Sequence, residues 1–292
     1  MITRIEALNY RCLRYVRQDL EQFHILIGPN ASGKSAFLDV VDFLRDLLYE
    51  GPEGAMENRA NTIEELVWNH TGHCFELAVE LSIPERLRNT KRKMAYTRCR
   101  YEVSIGQDEN GEVSILGETF WLQEKAKPLE IPLQREFFPL EWDCPETILI
   151  PQRKRAPKGW RKVVTKISES GNDWFRTEVG EWNNRFRLGP RRAALANLPE
   201  DEEKFPTAIW AKRLLMEGVQ ELALNSYEMS NPCAPSSSRL YEPDGSNLPI
   251  VVRELKQKHP ERFRLWLRHI QTVLTDVQEI EVIERPEDRH LY

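Results

Sequence analysis

The feature that most constrains the fold is a glycine loop between an apolar run and an amphipathic helix pattern. Residues 23–27 are FHILI, an almost wholly apolar run typical of a strand buried on both faces. Residues 28–35 are GPNASGKS. The apolar residues after the loop recur at helical spacing, at Phe37, Val41, Leu44 and Leu48. Strand, glycine loop and helix in this order are the context in which the pattern G-x-x-x-x-G-K-[ST] cradles phosphate.

The residue types of the loop suit the phosphates of a nucleotide. Gly28 and Gly33 permit backbone angles and a close approach that a Cβ would block, and the helix N-terminus adds partial positive charge. We expect Lys34, the candidate catalytic cation, to reach the β- and γ-phosphates and Ser35 to ligate Mg²⁺. The predicted residues that bind ATP are Gly28, Pro29, Asn30, Ala31, Ser32, Gly33, Lys34, Ser35 and Ala36. The alternative is a glycine turn that binds nothing.

Composition narrows the class of protein. The 292 residues are 40% hydrophobic and 30% charged, which excludes an intrinsically disordered chain. A net charge of −5 excludes a globally basic nucleic-acid coat, so any nucleic-acid contact is regional. No run approaches the roughly 18 apolar residues of a membrane span, and the N-terminus lacks a signal-peptide pattern. Five scattered cysteines without a C-x-x-C pair favour reduced thiols, and we expect a cytoplasmic protein.

The first half of the chain is rich in strand patterns. Residues 1–10 and 13–20 predict a hairpin that precedes the phosphate loop. Apolar and polar residues alternate from 75 to 83, with one face expected to be wet, and again from 97 to 105. With the turn at 108–111 and a third strand after it, residues 74–122 predict an antiparallel meander. A further short strand is predicted at 147–150.

The second half is helical in pattern. Residues 207–225 place Trp210, Leu214, Gly218 and Leu222 on one helix face, and residues 260–274 predict another packed helix. A Pro- and Ser-rich loop at 231–238 and the stretch 242–249 lead into a helix between them. We therefore predict two domains. Residues 1–151 hold the core strands, the loop helix and the β-subdomain, and residues 152–292 hold a basic hairpin and a helical subdomain.

Three stretches carry a resemblance to a known family: ITRIEALNYRCLRYV at 2–16, GPNASGKS at 28–35 and EPDGSNLP at 242–249. They resemble the ATPase heads of the RecF, SMC and overcoming-lysogenization-defect group, and more narrowly AAA-family proteins with ABC-type heads. The resemblance implies an α/β P-loop NTPase fold of ABC-head type. It also implies an ATPase subunit that couples nucleotide binding and hydrolysis to DNA repair or anti-phage defence.

Two further residues match the family, whereas several of its motifs are not found. Gln152 matches the glutamine that senses the γ-phosphate and metal, and Arg11 matches a basic residue near the nucleotide. A serine signature motif, a Walker B strand ending in Asp-Glu and a switch histidine are not found in the sequence. Residues 280–285 alternate like a strand, and residues 251–254 are helical in pattern. We therefore expect a truncated or split head that binds nucleotide better than it cleaves it.

Two groups of cations are candidates for nucleic-acid contact. The first contains Trp160 and seven cations, which are Arg153, Lys154, Arg155, Lys158, Arg161, Lys162 and Lys166. The second group consists of Arg86, Arg88, Lys91, Arg92, Lys93, Arg98 and Arg100. Solvated hairpin tips have the same composition, so both interpretations stay open.

Three functions are compatible with these patterns. The first is the ATPase subunit, which acts in a homo-oligomer or in a complex with an effector and the missing head portion. The second is a nucleotide-gated scaffold that binds ATP and holds an effector nuclease without hydrolysis. The third is a small-molecule kinase, which the hairpin ahead of the phosphate loop disfavours.

Overall fold

The computed structural model describes residues 1–70, 72–88, 96–124, 144–151, 156–167, 171–239 and 241–292. These residues form two compact units, 1–219 and 220–292. The division by packing therefore comes at residue 219 rather than at the predicted boundary at 151. The reason is that strands after residue 151 continue the sheet of the first unit.

The first unit is built on one eight-stranded sheet in which all neighbouring strands are antiparallel, in the order β2-β1-β3-β4-β5-β6-β7-β8. The strands are β1 Ile2–Tyr10, β2 Leu13–Asp19, β3 Cys74–Ser82, β4 Tyr96–Gln107, β5 Val113–Glu124, β6 Trp160–Ile167, β7 Asn172–Arg176 and β8 Asn183–Phe186. The predicted hairpin and meander are confirmed. The fold is mixed α/β.

Six helices accompany the sheet in the described residues. They are α1 Lys34–Glu57, α2 Ile63–Leu66 and α3 Pro206–Glu217 in the first unit, and α4 Ser226–Met229, α5 Leu248–Lys258 and α6 Pro260–Val273 in the second. Single 3₁₀ turns cover Trp68–His70 and Glu85–Leu87. The helix predicted at 260–274 is confirmed.

The helix predicted at 207–225 is wrong in its second half and in its buried face. α3 ends at Glu217, and Leu222 lies beyond it, exposed. The residues that α3 buries are Thr207, Ala208, Ile209, Ala211 and Leu215, whereas Trp210 and Leu214 are only half-buried. α3 contacts α1, and its buried Ala208, Ile209, Ala211 and Leu215 belong to the same hydrophobic core as buried side chains of α1.

The core lies between one face of the sheet and the helices α1 and α3. α1 contributes a stripe of buried side chains, which are Phe37, Val40, Val41, Phe43, Leu44, Leu47 and Leu48. Phe43 meets two aromatic rings of the sheet, with its centroid 5.7 Å from Tyr10 and 5.2 Å from Phe75. Each fully buried side chain of this size contributes about 1.5–3 kcal/mol. The packing therefore holds α1, and the loop before it, firmly on the sheet.

The opposite face of β1, β3 and β4 is polar but not wet, which corrects the prediction of a solvated face. Glu80, Arg100 and Glu102 are all buried. Arg100 contacts Glu102 at 2.7 Å, Glu6 at 2.9 Å and Glu80 at 3.5 Å. Burial opposes the charge on Arg100, but Glu102 and Glu6 outweigh burial and raise its pKa. Alternation in the sequence reports the two faces of a strand and not what covers them.

Residues 144–151, here called the crossing segment, cover part of this polar face. The amide of Ile148 donates to Glu76 at 2.7 Å, and the amide of Ile150 donates to Glu102 at 3.1 Å. Arg100 in turn donates to the Ile148 carbonyl at 2.9 Å. The strand predicted at 147–150 is therefore wrong, because these backbone groups pair with side chains of the sheet instead of another strand.

The second unit has a small apolar core of Cys233, Ile250 and Leu291. Leu291 forms isolated bridges with Cys233 and Glu284. Apart from the bridge at Glu284, residues 280–285 form no strand. α6 buries Phe263, while Trp266, Leu267 and Ile270 are half-buried. Among the described helices, none is both long enough and apolar enough to cross a membrane.

Glu118 on β5 is the acceptor that fixes the segment after β8. Its fully buried carboxylate accepts from the amides of Ala194 at 2.6 Å and Leu195 at 2.8 Å, and from the Tyr101 hydroxyl at 3.0 Å. Burial raises the pKa of Glu118, and the two amides oppose that rise.

We expect Glu118→Gln to destabilise the protein by about 1–3 kcal/mol, because an amide NH₂ would face a backbone N–H that needs an acceptor. Urea denaturation measures this difference. Glu112→Gln is the control, since Glu112 is an exposed carboxylate paired with Arg191, and it should cost no more than about 1 kcal/mol. Equal stability losses in the two variants would contradict the role of Glu118.

Candidate functional site

The glycine loop adopts a tight turn that ends at the start of α1. Ala31 has φ +62° and Gly33 has φ +89°, so left-handed residues stand on both sides of Ser32. The Ser32 amide donates to the Pro29 carbonyl at 3.3 Å, and the Phe37 amide donates to the Gly33 carbonyl at 2.9 Å. The helix therefore begins directly after the loop, which aims its N-terminal partial positive charge at the turn.

The Lys34 ammonium lies inside this turn. Its Nζ donates to the carbonyls of Gly28 at 2.8 Å and Pro29 at 2.7 Å, and to the Ser32 hydroxyl at 3.3 Å. A lysine has three donors, and here all three point to oxygen atoms of the loop. Phosphate oxygens offer the same type of acceptor with a negative charge, so the ammonium is well placed to exchange carbonyls for phosphate.

Ser35 and Ala36 behave differently although both are predicted binding residues. Ser35 is exposed in the first turn of α1 and makes no hydrogen bond through its side chain in the described part of the chain. Its hydroxyl is therefore available to a hard cation such as Mg²⁺. Ala36 is buried and belongs to the core, so only its backbone can contact a ligand. Asn30 is exposed at the tip of the loop.

The predicted buried strand at 23–27 is wrong in the structure. These residues form no strand, and Phe23, Ile25 and Ile27 are 79%, 68% and 89% exposed. A strand buried on both faces needs neighbouring strands and covering side chains. The eight-stranded sheet supplies neither to residues 23–27, because its edges are β2 and β8. The segment before the phosphate loop is therefore an exposed apolar stretch.

The turn of the β1–β2 hairpin forms a wall beside the loop. The space that a Cβ on Gly33 would occupy lies 3.0 Å from Leu13 Cδ2 and 3.4 Å from Cys12 Sγ. Gly33 is thus required twice, by its left-handed φ and by this close approach of the hairpin. The hairpin that precedes the loop in sequence also adjoins it in space.

Arg11, predicted from the resemblance to lie near the nucleotide, sits at this turn and contacts α1. Its Nη1 donates to Asp39 Oδ2 at 2.8 Å, and 41% of its side chain is exposed. Asp39 also accepts from the Tyr10 hydroxyl at 2.6 Å and from Arg59 Nε at 2.7 Å. Burial and then Asp39 raise the pKa of Tyr10. Asp39 is not among the residues predicted from the sequence, and its position five residues after Lys34, about one and a half turns along α1, was the available signal.

The first group of basic residues divides in the structure. Gln152, Arg153, Lys154 and Arg155 lie outside the described residues. Arg161 donates to the carbonyls of Thr177 and Gly180, both at 2.6 Å, and Lys166 is buried against Asp173 at 2.5 Å. These two cations therefore stabilise the first unit through intramolecular contacts. Lys162 lies over the Trp121 ring at 5.1 Å, and Lys158 is exposed at a turn.

The second basic group is also partly structural. Arg100 belongs to the buried network, and Arg88 donates to the Ile83 carbonyl at 2.8 Å. Arg98 lies 3.9 Å from Glu80, and Arg86 is exposed. Lys91, Arg92 and Lys93 lie outside the described residues. The described members of this group therefore do not form one basic patch.

Comparison with known proteins identifies one family. The family model described as AAA ATPase domain matches residues 1–186, which include the whole sheet, α1 and the glycine loop. The search of curated proteins found no match.

We expect Gly33→Ala to weaken nucleotide binding, because the new methyl group strains a left-handed φ and displaces the hairpin wall. Gly111→Ala is the matched control, since Gly111 has φ +78° and nothing within 4 Å of an added Cβ. Both variants should lose about 1 kcal/mol of stability from the φ alone. Titration with a fluorescent ATP analogue should separate them, and unchanged affinity in Gly33→Ala would contradict the geometry.

Proposed function

The chain belongs to the AAA ATPase domain family, and from this premise we propose that residues 28–35 bind Mg·ATP. We propose further that the protein is the ATP-binding subunit of an ABC-type ATPase. The observation that carries the proposal is the Lys34 ammonium, held inside a turn of left-handed residues at the N-terminus of α1. Backbone amides, helix charge and a lysine together suit the β- and γ-phosphates.

The donor set also fits a magnesium ion bound with the nucleotide. Ser35 supplies a hydroxyl in the first turn of α1, and phosphate oxygens and water complete the hard oxygen ligands that Mg²⁺ prefers. When bound, the ion neutralises charge that develops on the phosphates. A second, acidic protein group is needed to hold it. Glu80 does not suit this role, because it is buried among Arg4 and Arg100.

The exposed apolar stretch at 23–27 supports completion of the site by another segment or polypeptide. Strands paired along both edges of this stretch, with side chains packed on both of its faces, would bury it as its composition requires. We propose that the covering element also brings the metal-holding acid and the water-orienting residue. A P-loop positions phosphates, but hydrolysis needs these additional groups.

The alternative within the same site is a nucleotide-gated scaffold that binds ATP and holds an effector nuclease. The exposed stretch favours this alternative for the chain acting alone, since an incomplete site binds without turnover. A small-molecule kinase is less compatible, because the β1–β2 hairpin precedes the loop and packs against it. The roles in DNA repair or anti-phage defence rest on the resemblance to RecF- and SMC-type heads.

We expect Lys34→Ala to weaken binding of Mg·ATP by at least about tenfold, because it removes a full charge that contacts the phosphates. Lys158→Ala, which removes a lysine from an exposed turn, should leave the affinity unchanged. Titration of a fluorescent ATP analogue compares the three proteins. Equal affinity in wild type and Lys34→Ala would remove the basis of the proposal.

We expect the purified chain to bind Mg·ATP with negligible turnover. A polypeptide that supplies a metal-holding acid, fused or added separately, should bring about hydrolysis. Phosphate release measures the rate, with Lys34→Ala as the control for contaminating ATPases. Robust turnover that depends on Lys34 in the chain alone would contradict the proposed completion and would place the acid within residues 1–292.

We also propose that the basic segment from Arg153 to Lys166 contacts nucleic acid. In its described part the exposed cation is Lys158, whereas Arg161 and Lys166 bind carbonyl and carboxylate acceptors and Lys162 is half-buried over the Trp121 ring. Lys158→Glu should weaken binding at low salt and reduce its salt dependence. Arg262→Glu, which reverses one exposed cation on α6, is the charge-matched control. Equal binding by both variants would favour a solvated hairpin instead.

A further inference from the structure

Asp39 is the meeting point of three donors from three parts of the first unit. Its Oδ2 accepts from the Tyr10 hydroxyl and from Arg11, and its Oδ1 accepts from Arg59. Tyr10 ends β1, Arg11 opens the hairpin turn, and Arg59 follows α1. One carboxylate on α1 therefore fastens the hairpin turn to the helix that starts at the phosphate loop.

The two arginines on Asp39 differ in their surroundings. The Arg59 side chain is 7% exposed, lies over the Phe43 ring at 5.2 Å, and also bonds Asp46 at 2.8 Å. Arg11 is 41% exposed and has Asp39 as its partner. Arg59 is thus part of the packed structure, whereas the Arg11 side chain is partly exposed to solvent.

The backbone of Arg11 is held in place by a hydrogen bond. Arg11 has φ +53°, and its amide donates to the Leu66 carbonyl at 2.6 Å. The next two residues, Cys12 in the turn and Leu13 at the start of β2, lie next to the space that a Cβ on Gly33 would occupy. A shift of this turn would therefore move the side chains that pack beside Gly33, the last glycine of the loop.

We propose that Asp39 is a positioning residue for nucleotide binding. It holds the hairpin turn against the phosphate loop through Tyr10 and orients the Arg11 guanidinium beside the site. The inference rests on the proposed function, because it assumes that the loop binds a nucleoside triphosphate. It adds a residue outside the loop that sets affinity without contact with the ligand.

Asp46 provides a matched control on the same helix. It shares Arg59 with Asp39 and lies about two turns further along α1. Within the described part of the chain it pairs with Arg45 and Arg59, neither of which belongs to the hairpin. Asp39→Asn and Asp46→Asn each remove one charge partner of the buried Arg59. Both variants should therefore lower the melting temperature, which reports the structural role alone.

Affinity for a fluorescent ATP analogue with Mg²⁺ separates the two variants. We expect Asp39→Asn to weaken binding about fivefold to tenfold, the range for one misplaced charge-assisted contact, and Asp46→Asn to change it less than about twofold. Equal affinity in Asp39→Asn and Asp46→Asn would overturn the inference. If Lys34→Ala also leaves binding unchanged, the proposed function itself fails, so the two failures are distinguishable.

A double-mutant cycle tests whether Asp39 acts through Arg11. Arg11→Gln alone should weaken binding by a similar factor with little change in melting temperature, since Arg11 is half-exposed. In the Arg11→Gln background, Asp39→Asn should then add less than about twofold, because coupled residues are not additive. Additive losses would overturn the inference. If Asp39→Asn does not fold, Arg11→Gln decides alone, and unchanged affinity in it would overturn the inference.

Discussion

The packing of α1 across one face of the sheet is the interaction on which the rest of the first unit depends. Its apolar stripe runs from Phe37 to Leu48, and Phe43 meets Tyr10 and Phe75 at the level of the hairpin. Because the helix is fixed along its length, its first turn and the loop before it are fixed too. The position of Lys34 is therefore a consequence of the burial of the side chains that follow it along α1.

Buried carboxylates anchor irregular segments on both faces of the sheet. Glu76 and Glu102 accept backbone amides of the crossing segment, and Glu118 accepts the amides of Ala194 and Leu195. Burial raises the pKa of all three carboxyls, and the donors that face each of them oppose that rise. This arrangement lets a wide antiparallel sheet anchor irregular segments that have no strand partner. Arg100 and Glu80 likewise pair with each other inside the protein and have a structural role.

The parts of the fold that the sequence predicts are the local ones. Alternation and turn residues predict the hairpin and meander, and helical spacing after Gly33 predicts α1. The glycine loop was found because every residue of its pattern lies within eight positions. The residues that support it could not be found this way: Asp39 meets Arg11 from 28 positions away, and Glu118 meets Ala194 from 76. The predicted burial of residues 23–27 failed because composition describes what a segment needs, and the sheet of this chain does not cover it.

The central claim is that the loop and the first turn of α1 bind Mg·ATP through Lys34. Hydrogen exchange with and without Mg·ATP tests it most directly, since bound phosphate accepts the amides of the loop and slows their exchange. We predict new protection confined to residues 28–37 and to the hairpin turn, and none of it in Lys34→Ala. Unchanged exchange in residues 28–37 of the wild-type chain at saturating Mg·ATP would contradict the account.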